Sequence, residues 1–126
     1  MGTIGEVHGR GDVFDPNCPT RVILDRIGDK WTVLAVLLLR NGPRRFTELR
    51  SGIGSVAPKV LTQTLRRLER DGLVTREVFA EVPPRVVYSL TPMGESLIKP
   101  INAITEWAEE HMPAITNAQQ QYDATT

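Results

Sequence analysis

Lys59, Thr62, Gln63, Arg66 and Arg70 fall on one side of a helical repeat, and Leu61, Leu65 and Leu68 recur at i, i+4 and i+7 on the other. A helix through them carries an apolar stripe behind a stripe of hydroxyl, amide, ammonium and guanidinium groups. Those groups suit base edges and phosphates, and a single helix fits a DNA major groove ~12 Å wide. The same stripe would also line the wet side of an ordinary surface helix, so other features have to discriminate. Cys18 is the only thiol, and it precedes Pro19 at the expected start of a helix, with Arg21 close by. A helix N-terminus and a nearby cation both favour thiolate. A small, buried and inert side chain is the competing reading of the same residue. His8 and His111 are the only histidines, and no nucleophile–base pattern, Gly-rich phosphate loop or metal-ligand cluster accompanies them. The chain is therefore not expected to be an enzyme or to carry a cofactor or metal.

Charge distribution sharpens the nucleic-acid reading. The 126 residues hold 15 Lys plus Arg and 15 Asp plus Glu, a net charge of zero. That balance excludes a polyelectrolyte tail and a uniformly basic coat protein. The charge is uneven, at −1 over residues 1–39, +5 over 40–85 and −4 over 86–126. Nine of the ten cations in the central stretch are arginine, whose flat fork matches phosphate oxygens and guanine edges better than an ammonium does.

The elements that must position these groups follow from periodicity and breakers. Residues 1–14 are expected to be a flexible segment, 15–112 one domain, and 113–126, with Gln119-Gln120-Gln121, a flexible, frayed tail. Asp15-Pro16-Asn17-Cys18-Pro19 is a turn feeding a short helix to about Ile27, broken by Gly28-Asp29. Trp31, Leu34, Ala35 and Leu38 mark a second helix, apolar nearly all round and so the expected buried centre, which stops at Asn41-Gly42-Pro43. Phe46, Leu49 and Ile53 mark a short third helix; the fourth is expected to start at Ser55 as N-cap and to end at Asp71-Gly72. Leu73–Val78 and Arg85–Leu90 then read as an antiparallel hairpin with Pro83-Pro84 in its loop, followed by a last helix from Thr91 or Pro92. The longest apolar run, Val33–Leu39, falls short of the ~20 residues a membrane span needs. No signal peptide is apparent, and a soluble, cytoplasmic protein without membrane contact is expected.

This order gives a fold that is mainly α with a β-hairpin wing, a winged helix-turn-helix whose N- and C-terminal helices form a dimer interface. Duplex DNA is the expected partner. Lys59, Thr62, Gln63, Arg66 and Arg67 are assigned to groove and phosphate contacts, with Arg67 less well placed, and Ser55 to phosphate at the helix start. Arg44 and Arg45 flank the helix-turn-helix on the phosphates, and Arg85 is the wing contact. Leu97, Ile101, Ile104, Trp107 and Ala108 on the last helix exceed what one small core can cover, which points to a symmetric homodimer. A winged-helix module that binds only protein is the alternative.

Specific blocks carry a resemblance. They are Cys18-Pro19, Ile27-Gly28-Asp29-Lys30-Trp31, Arg45-Phe46-Thr47-Glu48-Leu49, Val60-Leu61-Thr62-Gln63-Thr64-Leu65, Leu68-Glu69-Arg70-Asp71-Gly72-Leu73 and Glu81 through Gly94. Over residues 18–112 the chain resembles the HxlR-type family of bacterial winged-helix transcriptional regulators, relatives of the MarR regulators. The resemblance implies a homodimer that binds an operator and represses or activates nearby genes. It also implies that a cysteine at the place of Cys18 can sense oxidants or electrophiles; with one cysteine per chain, only a Cys18–Cys18 bond between copies or a bond to a small thiol is open. A small-molecule effector between the DNA-binding domain and the dimer helices is a further option, with Trp31, Phe46 and Trp107 as pocket aromatics or as core. The Gly52–Pro58 run departs from the more polar family pattern entering the recognition helix.

Overall fold

The computed structural model describes residues 12–125, so the expected flexible segment 1–14 lies almost wholly outside the described residues. Six helices and a small sheet follow in the order α1 (Pro19–Gly28), α2 (Lys30–Leu39), β1 (Arg44–Arg45), α3 (Phe46–Ile53), α4 (Pro58–Arg70), β2 (Val74–Phe79), β3 (Arg85–Leu90), α5 (Pro92–Glu95) and α6 (Ile98–Thr125). The sheet is antiparallel in the order β1-β3-β2. This is the expected winged helix-turn-helix, with α3 and α4 as the helical pair and β2–β3 as the wing. Among the described residues no helix is long and apolar enough to cross a membrane.

Local chemistry sets the boundaries. Asp29 caps α2 by accepting the Trp31 N–H at 2.9 Å. The Arg45 N–H, orphaned ahead of α3, is taken by Glu48 Oε1 at 2.8 Å. α4 begins later than expected, because Pro58 occupies its first turn and the residue before a proline is driven to extended geometry. Ala57 is therefore the N-cap, and Ser55 stays in an exposed bend. Val56, between them, tucks into the core.

The core gathers Ala35 and Leu39 of α2, Leu49 of α3, Leu61, Leu65 and Leu68 of α4, Leu73, and Val74 and Tyr88 of the wing. Thr64 is buried beside them, its hydroxyl donating to the Val60 carbonyl at 2.9 Å. The central helix is not buried all round: Thr32, Ala35, Val36 and Leu39 are buried, while Val33, Leu34 and Leu37 are half-buried, as is Leu38, which packs against the core. α1 has no buried residue, and its Val22, Ile23 and Leu24 face solvent.

Two expectations about the C-terminus are corrected. The last helix is divided into the single turn α5 and the 28-residue α6. Residues 113–125, expected as a frayed tail, continue α6 through an internal Pro113. Ala114, Ala118 and the glutamines are good helix formers, a preference that outweighs their polarity. β1 was not anticipated, since two residues carry no periodicity.

One tight junction joins these parts. Thr91 Oγ1 accepts the Gly94 N–H at 3.0 Å and donates to the Gly72 carbonyl at 2.7 Å, and the Thr91 N–H donates to the Leu73 carbonyl at 3.0 Å. A side chain at Gly94 would overlap that Leu73 carbonyl oxygen. Gly94→Ala is accordingly expected to cost ~1–3 kcal/mol, the usual scale of overpacking. Urea unfolding checks this, and an unchanged midpoint would show that α5 moves aside freely.

Candidate nucleic-acid interface

α4 divides its two sides as its spacing requires. Leu61, Thr64, Leu65 and Leu68 are buried, whereas Lys59, Gln63, Arg66, Arg67 and Arg70 are exposed and Thr62 is half-buried. None of the exposed five makes a side-chain hydrogen bond or ion pair among the described residues. Their donors are therefore free to meet a ligand. Arg67 follows Gln63 by four residues and shares its side of the helix.

A second basic group lies toward the tip of the wing. Arg44 and Arg45 pair with Tyr88 and Val87 of β3, which carries Arg85 at its start. Arg45 and Arg85 line two shallow depressions of about 300 and 290 Å³, the latter also lined by Arg44. Thus Arg44, Arg45 and Arg85, far apart in sequence, are brought together. Arg85 is restrained: its Nε donates to Glu81 Oε2 at 2.9 Å, and its guanidinium lies 4.0 Å from the centre of the Phe79 ring. Glu81 was missed as a site residue, because an i, i+4 pair is a helix signal and these residues flank a hairpin loop. Also missed was the Arg26–Asp71 ion pair, 2.7 Å from Nε to Oδ2, which ties α1 to the C-cap of α4.

The residues assigned to a dimer interface separate into two groups. Ile101 is buried in its own domain and is corrected to an intrachain role, while Leu97 packs against the core but is only half-buried. Leu97 precedes α6, and Ile101, in its first turn, is the helix's only buried residue. Ile104 and Trp107 are each 57% exposed, and Ala108 is half-buried. Trp107 stacks on His111 with centroids 4.5 Å apart. Trp31 and Phe46 pack against the core, whereas Trp107 is exposed on α6.

Cys18 is 4% exposed. Its N–H donates to the Asp15 carbonyl at 2.9 Å, and Arg21 directs Nη1 to the Phe14 carbonyl at 3.2 Å. These bonds hold the turn ahead of α1, in which Cys18 is a buried thiol.

Residues 26–116 match the family described as HxlR-like helix-turn-helix. The chain belongs to that family. Among relatives of this HxlR-like protein, the uncharacterized HTH-type transcriptional regulator YtfH of Escherichia coli K12 is 41% identical over 105 residues, 83% of each chain. The solved putative transcriptional regulator ytfH from Salmonella typhimurium superimposes with TM-score 0.82 at 38% identity, covering 87% of this chain and 98% of that one. The redox regulator HypR in its reduced form superimposes with TM-score 0.72 at 38% identity, covering 79% and 98%. This HxlR-like chain is a transcriptional regulator of the helix-turn-helix class. Cys18 lies N-terminal to the stretch that matches the family.

The burial of Cys18 has a direct consequence for its reactivity. A thiol-specific disulfide reagent should label the native protein only as fast as the structure around Cys18 opens, and much faster in guanidinium. Equal rates in the two solvents would show that the thiol is open in the native state.

Proposed function

We propose that this regulator binds a pseudo-palindromic operator as a homodimer, reading bases with α4 and gripping phosphates with the wing. The observation that carries the proposal is the row of unpartnered donors on α4, held rigidly by the buried leucines behind it. Thr62, Gln63 and Lys59 sit for base edges, Arg66 and Arg67 for bases or the phosphates beside them. Arg44, Arg45 and Arg85 add phosphate contacts, and Ser55 stands in the exposed bend before the helix. The +5 balance of residues 40–85 supports an electrostatic attraction to the duplex.

The dimer is supported by apolar surface that one chain leaves open. Val22, Ile23 and Leu24 of α1, the half-buried Val33, Leu34 and Leu37 of α2, and Ile104 and Trp107 of α6 are apolar surface that a second copy could cover. A two-fold axis would set two α4 helices about one duplex turn apart, ~34–36 Å. Light scattering at micromolar concentration should give the dimer mass, and a monomer there would remove this element.

Modification of Cys18 is the proposed modulating chemistry, as a disulfide to the Cys18 of a second copy or to a small thiol, with an external two-electron oxidant such as a diazene taking up the two electrons and two protons that the thiols lose. The redox regulator HypR, similar over most of its length, supports it. Cys18 is buried and is the N-cap residue of α1, so its modification requires local opening and would act on the start of that helix. Operator affinity that diamide leaves unchanged would overturn this part.

Selection from random duplex DNA, followed by anisotropy titration at two salt concentrations, tests the whole reading. A two-fold symmetric site with steep salt dependence is expected; no enrichment would overturn it. On that site, Gln63→Ala should lose ~1–3 kcal/mol of base discrimination. Arg85→Ala should weaken all duplexes alike and lower the salt slope by about one. Glu81→Gln should do the reverse, because it releases Arg85 from its carboxylate. Wild-type behaviour in all three variants would show that the interface lies elsewhere.

A further inference from the structure

The Arg26–Asp71 ion pair lines a mostly apolar, partly open pocket of about 220 Å³ between α1, the start of α2, the end of α4 and the α5–α6 junction. Ile27, Leu73, Met93 and Leu97 form much of its wall. From this cavity we infer a binding site for a small, uncharged, largely apolar molecule carrying one carbonyl oxygen, which acts on the DNA-binding helix through Arg26 and Asp71.

Three observations select that chemistry. The first is size: a cavity of ~150 Å³ holds benzene, so this one accepts an aromatic ring with a short substituent. The second is the donor inventory. Arg26 donates through Nε to Asp71 and makes no other hydrogen bond among the described residues, so its terminal N–H groups are open to an acceptor. The third is charge balance. Arg26 and Asp71, whose side chains are largely shielded from solvent, already neutralise each other. A ligand carboxylate would leave a net negative charge in a mostly apolar pocket, which is costly, whereas a neutral carbonyl accepts from Arg26 without changing the sum.

The position of the pair gives the site a consequence. Asp71 is the C-cap residue of α4, and Arg26 lies in the last turn of α1. A carbonyl that draws the guanidinium toward the cavity lengthens the one ion pair between these helices. The end of α4 is then less firmly held, and DNA affinity falls. This regulatory half rests on the DNA-binding reading above; the binding site itself does not.

Methyl-resolved NMR of the full chain tests the site without DNA, using acetophenone as probe, ethylbenzene as the equivalent without an acceptor, and benzoate as the charged counterpart. Acetophenone is expected to give saturable shifts at Ile27, Leu73, Met93 and Leu97, with weaker binding of the other two. Met93→Trp, at an exposed wall residue, should block the cavity, and Arg26→Met should abolish the preference for acetophenone over ethylbenzene. The spectra of both variants report folding directly. Absence of saturable shifts at millimolar acetophenone, including the case in which a second copy covers the mouth, would overturn the site. Equal binding of ethylbenzene would overturn the role of Arg26. For the regulatory half, saturating acetophenone should weaken operator binding by about 5-fold or more, the usual lower end of an allosteric coupling. Unchanged affinity with the methyl shifts present would overturn that half alone. Failure to bind any duplex with the shifts present would instead overturn the DNA-binding reading.

Discussion

Burial of one side of α4 is the constraint on which the rest of the structure depends. Leu61, Leu65 and Leu68 are essentially inaccessible to solvent and meet α2, α3 and the wing in one cluster. Each buried leucine contributes ~1.5–3 kcal/mol of transfer free energy, so rotation of the helix about its axis is strongly opposed. The polar residues between these leucines then have no freedom in which way they face. Orientation of Gln63 or Arg66 is thus a property of the core, not of those side chains themselves. A groove-reading helix needs this, because contacts to base edges depend on placement within fractions of an ångström.

The end of α4 is where helix, sheet and C-terminal helix are made mutually dependent. Gly72, at φ 77°, closes the helix: the Leu73 N–H returns to the Leu68 carbonyl, and the Gly72 N–H to that of Glu69. The chain leaves directly into β2, and Thr91, at the far end of β3, bonds back to Gly72 and Leu73. Gly94 has to be glycine for α5 to pack there. The wing therefore has its base fixed to the same few peptide groups that terminate α4. Arg85 and the α4 stripe share one rigid reference, as a joint grip on a groove and its flanking phosphates requires.

Much of this arrangement was legible in the residues alone. The leucine spacing, the Asp71-Gly72 stop and the change of period after Leu73 correctly gave α4 and the hairpin, because each is a local property. Failures occurred where the outcome depended on partners distant in sequence. Leu97 and Ile101 share a helical stripe with Ile104 and Trp107, and spacing cannot tell where α6 leaves the domain. Ser55 is a better N-cap than Ala57 by side-chain type, but Pro58 fixes where the helix begins. β1 exists only because Arg44 and Arg45 meet Tyr88 and Val87 across the fold. The Arg26–Asp71 pair spans forty-five positions and left no sequence signal.

Zero net charge is consistent with a DNA-reading surface once the acidic groups are located. Glu48 is engaged with the Arg45 backbone, Asp71 with Arg26, and Glu81 with Arg85. The first two of these acids hold the fold, by capping α3 and by tying α4 to α1, and do not oppose the exposed cations of α4. Glu81 differs, since it offsets a cation that is itself assigned to phosphate. In the free protein it keeps Arg85 on the Phe79 ring and limits its range of rotamers. A phosphate must compete with that carboxylate. In the proposed interface, that exchange would lower the affinity gained from any duplex while leaving the α4 stripe untouched. A wing held in this way trades non-specific attraction for discrimination, because the sequence-independent part of binding is the part that counterion release supplies.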